Sequence, residues 1–174
     1  MASQNYARIA PASYDSIATV NPNGSSGTVT FSSIPSTYTH LEVRASFLAS
    51  SSNEDLLVRF NGDTASNYSF HELRGNGSIA TAGGAASTAF MYAAANAGDT
   101  TYPQNFILFV TEYKNTNINK TIRVLSGQDR GASGGISLFS GNWRNTAAIN
   151  SITLYMPSGN INTNSKFALY GIKG

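Results

Sequence analysis

Apolar and polar residues alternate one by one through this chain, and a period of two is what a β-strand with one buried face leaves in a sequence. The pattern is cleanest between Thr28 and Phe47. Val29 and Phe31 alternate with Thr28 and Thr30, and Leu41, Val43, Ala45 and Phe47 alternate with Glu42, Arg44 and Ser46. The intervening S-S-I-P-S-T-Y-T-H cannot be helical throughout, because Pro35 fixes its own φ and drives Ile34 toward an extended conformation. A loop is expected there, with Ile34 and Tyr38 tucked against a sheet edge.

The same period recurs to the last residues. Tyr14 to Val20 reads as a first strand, closed by the turn cluster N-P-N-G-S-S-G. L-L-V-R-F at 56–60 reads as a strand ending in Asn61-Gly62-Asp63, a hairpin signal, with Tyr68 to Leu73 as the returning strand. Residues 75–98 are rich in Ala and Gly. They read as a flexible loop leading into a strand near Phe90 to Ala94, because Gly83, Gly84, Ser87 and Thr88 weaken any helix. N-F-I-L-F-V-T-E-Y from 105 is a continuous apolar run, expected to be buried on both sides or at a subunit contact. T-I-R-V-L at 121–125 should pair with it. I-S-L-F at 136–139, I-T-L-Y-M at 152–156 and K-F-A-L-Y-G-I at 166–172 complete the set.

About eight to ten short strands and no amphipathic helix predict an all-β fold, an antiparallel β-sandwich. Jelly roll is the preferred topology, although immunoglobulin-like sandwiches share these length and turn statistics. The division expected is a short extended N-terminal arm over 1–12 and a single sandwich domain over 13–174. Composition agrees. Only 11% of the 174 residues are charged, and polarity comes from hydroxyls and amides, which suit strand faces and turns better than helices. The net charge of +2 is spread without a basic run, so no nucleic-acid partner is expected. There is no cysteine to build a disulfide framework or a thiolate metal site. With no apolar leader and no 18-residue apolar run, neither export nor membrane insertion is expected.

Two motifs match by glycine frequency alone. Gly131-Ala132-Ser133-Gly134-Gly135 has the form G-x-S-x-G, yet a strand follows where a helix is needed and both histidines, His40 and His71, lie upstream. Gly75-x-Gly77-x-x-Ala80 lacks the βαβ unit of a dinucleotide site. Glu54, Asp55 and Asp63 read as solvated turn carboxylates before they read as calcium ligands, and nothing in sequence brings Glu112 to Asp129. No enzyme activity and no cofactor are expected. Trp143, beside Arg144, is either an aromatic plug at one end of the sandwich or an exposed platform for stacking on sugars.

Several segments together carry a resemblance: Y-D-S-I-A near residue 14, T-F-S-S-I-P-S-T-Y-T-H-L at 30–41, V-R-F-N-G-D at 58–63 and E-Y-K-N-T-N-I-N-K-T at 112–121. To these are added N-W-R-N-T-A-A-I-N-S-I-T-L at 142–154 and F-A-L-Y-G-I-K at 167–173. The chain resembles a family of small β-rich virion proteins of tailed bacteriophages. The resemblance implies a structural virion protein and carries over no catalytic residue. The function expected is a capsid decoration or cement protein on the capsid exterior, assembled in the host cytoplasm. Its partners would be the major capsid protein and further copies of itself, as a homotrimer, with the arm residues Tyr6, Arg8 and Ile9 in contact with a neighbour. The alternative is a tail or baseplate module recognising host surface glycans through Trp143, Arg144 and Tyr92.

Overall fold

The computed structural model describes residues 13–96 and 98–174. Twelve strands follow in order: β1 (Tyr14–Val20), β2 (Thr28–Phe31), β3 (His40–Phe47), β4 (Leu56–Phe60), β5 (Tyr68–Gly75) and β6 (Ala80–Thr88). After them come β7 (Met91–Ala94), β8 (Gln104–Val110), β9 (Lys120–Asp129), β10 (Gly134–Trp143), β11 (Ile152–Tyr155) and β12 (Lys166–Ile172). They form two antiparallel sheets, one of eight strands in the order β1-β12-β3-β8-β9-β10-β5-β6 and one of four in the order β2-β11-β4-β7. The fold is an all-β sandwich.

The chain passes from one sheet to the other at almost every connection. The exceptions are the β5–β6 hairpin and the β8–β9–β10 meander. Setting aside β5, β6, β9 and β10 leaves the orders β1-β12-β3-β8 and β2-β11-β4-β7. The four strands set aside extend the larger sheet, and β7 packs across β9, β10 and β5, whose Ile122, Val124, Phe139, Trp143 and Tyr68 join the core. The alternating residues of the central segments fill the space between sheets: Leu41, Val43 and Phe47 from β3 meet Val58 and Phe60 from β4 and Phe167 and Leu169 from β12 in one core. Phe47, Phe106 and Phe167 pack mutually, with ring centroids 5.8–6.2 Å apart. Ile34 joins this core and Tyr38 packs against it, as the proline-broken loop suggests.

Three expectations are corrected. Asn61 and Gly62 do form a tight turn, with φ of 52° and 68° and a bond from the Asp63 N–H to the Phe60 carbonyl, but β4 and β5 lie in different sheets and do not make a hairpin. Turn chemistry specifies how the chain reverses, and the apolar face of each strand decides which sheet it joins. Residues 80–88, read as a loop, are the edge strand β6, paired with β5 from Gly75↔Ala80 to Tyr68↔Thr88. The continuous apolar run at 105–110 is not buried on both sides. Phe106, Leu108 and Val110 face the core, while Ile107 is 46% exposed on the outer face.

Candidate docking face

The outer face of the eight-stranded sheet carries a row of aliphatic side chains that the core does not use. Cross-strand register places Arg44, Ile107, Leu125, Leu138, Leu73 and Ala82 side by side on six successive strands. Residues directly opposite in a ladder share a face, and here four large aliphatics stand next to one another. Ile107, Leu125, Leu138 and Leu73 are between 46% and 56% exposed, and Ile136, one step along β10, is 57% exposed. Gly127 is opposite Ile136, so no β9 side chain stands beside Ile136. A shallow depression of about 570 Å³ lies over Ile107, Leu125 and Ile136 and runs toward Ala168 and Tyr170.

Cations surround these residues. Arg123, Arg44 and Lys166 alternate outward from β9, β3 and β12. Arg44 lies over the rings of Tyr14 and Tyr170, at 5.4 and 5.2 Å, and pairs with Glu42, whose hydrogen bond holds the guanidinium above its ordinary pKa. A contiguous apolar patch with a charged rim is the composition of a protein contact surface. The outward aliphatics left a signal in the sequence. Ile136 and Leu138 share one parity and Phe139 has the other, so β10 offers apolar side chains to both faces.

The glycan platform does not form around Trp143. Its indole is 1% exposed, edge-on to Phe60 at 5.7 Å and stacked on Tyr68 at 6.3 Å, so neither face is free for a sugar. It is the plug at one end of the sandwich. Its Nε1–H donates to Asp63 at 2.7 Å, and Asp63 also accepts from Asn67 and from the Ala65 N–H, which hold its carboxyl below the ordinary value of 3.8. Arg144 ties the 66–68 segment down through the carbonyls of Ser66 and Tyr68. Tyr92 lies apart from both, stacked on Phe139 at 5.4 Å, and burial raises its hydroxyl pKa. Tyr6, Arg8 and Ile9 lie outside the described residues.

The other sequence motifs have structural places. Gly131 to Gly135 runs from the turn between β9 and β10, where the Arg130 N–H bonds the Ser133 carbonyl, into the first two residues of β10, and residues 76–79 form the turn between β5 and β6. Glu112 and Asp129 stand near opposite ends of the β8–β9 ladder. His40 Nδ1 accepts from the Glu112 N–H at 3.1 Å. Glu54 accepts from the Ser158 hydroxyl and Asp55 from the Asn96 N–H. Among the described residues no group of three or more His, Asp and Glu side chains is placed to hold a metal ion, and no helix is long and apolar enough to cross a membrane. No known protein family, curated protein or solved structure matches this chain.

Proposed function

We propose that the protein is a non-enzymatic structural component of a phage virion, a decoration or cement protein seated on the capsid exterior by the outer face of its eight-stranded sheet. The observation that carries this reading is the exposed row Ile107–Leu125–Leu138–Leu73, joined to the sequence resemblance described above. The partner it fits is a major capsid protein surface with aliphatic side chains flanked by carboxylates, complementary to Arg123 and Lys166, since Arg44 is already paired with Glu42. The alternation of β1, β3, β8 and β12 with β2, β4, β7 and β11 between two sheets supports a jelly-roll core. A rigid sandwich suits a protein that acts by mass action. Each docked copy favours the assembled shell over free subunits, and a homotrimer multiplies the effect by tethering three faces at once.

Copies per purified virion, counted by quantitative mass spectrometry against the major shell subunit, test the role. Hundreds of copies, near parity with the shell subunit, are expected. A few to a few dozen copies would place the protein elsewhere on the particle and contradict the proposal.

A further inference from the structure

A second feature lies on the inner face of the sheet extension. Along β8, β9, β10 and β5 the inward residues change from apolar to polar toward one end: Leu108 to Gln104, Val124 to Gln128, Phe139 to Ser137, Phe70 to Arg74. Gln104, Gln128 and Ser137 are buried there. The smaller sheet ends at β7, while β6 beyond it is exposed along almost its whole length, so the inner face of β5 is only partly covered. The result is a cleft in two connected lobes of about 240 and 320 Å³, with Arg74 and Asn96 common to both.

The cleft is short of acceptors at one point. Arg74 Nε is buried with no hydrogen-bond partner, and its cross-strand row continues through Ser137 to Ser126, whose buried hydroxyl also lacks one. A buried N–H without an acceptor is unfavourable, so this site favours a ligand that brings an oxygen to Arg74 Nε. Around Arg74 stand Asp55 and Glu72 as acceptors, Asn96 and Gln128 as amides, and the rings of Phe70 and Tyr92. The second arginine, Arg130, is already neutralised by Asp99 at 3.2 Å. The cleft therefore has no surplus positive charge for an anion and offers hydrogen-bond donors and acceptors together, while the rings of Phe70 and Tyr92 pack on each other and on Phe90 and Phe139.

We infer that this cleft binds a neutral saccharide, with a hydroxyl oxygen accepting from Arg74 Nε–H and sugar hydroxyls donating to Glu72 and Asp55. The site is distinct from the docking face, which lies on the opposite side of the same sheet. The test is an NMR titration of the free full-length protein with D-glucose, D-galactose, D-mannose and N-acetylglucosamine, beside inorganic phosphate and N-acetylneuraminic acid. At least one neutral sugar is expected to shift the Arg74 Nε–H resonance saturably. Arg74→Met should weaken that sugar at least about tenfold, and Glu72→Gln, which keeps the shape of the side chain, should weaken it less. Shifts produced by the anions alone, no shift with any neutral sugar, or unchanged sugar affinity in both variants would overturn the inference. The assay uses free protein, so its result does not depend on whether the protein occupies a shell.

Discussion

Asp63 and Trp143 show how one polar pair closes the end of an apolar sandwich. The indole N–H cannot be buried without an acceptor, and the Asn61-Gly62 turn delivers the Asp63 carboxylate to it at 2.7 Å. Because hydrogen bonds from Asn67 above all, and then from Trp143 and the Ala65 N–H, hold the folded carboxyl below 3.8, the Asp63 cluster contributes stability that is complete above that value. As pH falls, the unfolded chain takes up its proton first, and the contribution is lost as pH passes through the lowered folded value. Asp63→Ala should cost about 2–3 kcal/mol at pH 7 and should flatten the acid limb of stability, as read by urea unfolding at pH 7 and pH 3. An acid limb as steep as that of the unsubstituted protein would show that Asp63 is not its source. Lys120 is a second buried polar residue closed by local geometry. Its ammonium donates to the carbonyls of Asn115, Ile118 and Thr146, and burial lowers its pKa. Sequence order could not have brought Asp63 to Trp143, 80 residues apart, nor the Thr146 carbonyl to Lys120, 26 residues apart.

At the scale of elements, the strands that pair or pack through large side chains were legible from alternation, and β12 was readable to its ends. β6 was not. Its nine residues are Ala, Gly, Ser and Thr, which carry no apolar period because an edge strand exposed on both faces buries nothing. The assignment of strands to sheets was hidden for a different reason. Cross-sheet connections and hairpins use the same turn residues, as Asn61-Gly62 shows. The outer row on β8, β9, β10 and β5 was visible only as an excess of apolar residues, and register turned that excess into a surface. Leu125→Asp places a charge in the middle of the row at a side chain 48% exposed, so thermal stability should change little. Occupancy on purified particles in a reconstitution assay should fall at least about tenfold, as a charge buried against an apolar partner demands. Full occupancy by this variant would remove the row from the docking face.

For the whole molecule, two sheets of unequal width create two surfaces of opposite character. The four-stranded sheet covers part of the eight-stranded one, and strands β8, β9, β10 and β5 carry an apolar row on the outer face and, on the inner face, core residues that give way to a polar cleft at one end. A sparsely charged chain suits both. It leaves few ions to strip of water when a broad face is covered, and in the cleft amides and hydroxyls stand among Arg74, Arg130, Asp55 and Glu72. The composition of the sequence pointed to this economy, and the folded sheets show where each kind of residue is spent. The most direct test of the docking face is hydroxyl-radical oxidation of its side chains, compared between free protein and purified virions. Oxidation of Ile107, Leu125, Ile136, Leu138 and Leu73 should drop several-fold on the particle, while exposed Ile79 in the β5–β6 turn serves as the reference. Equal oxidation of the row in both states would contradict the account, because a face seated on a shell cannot stay open to solvent.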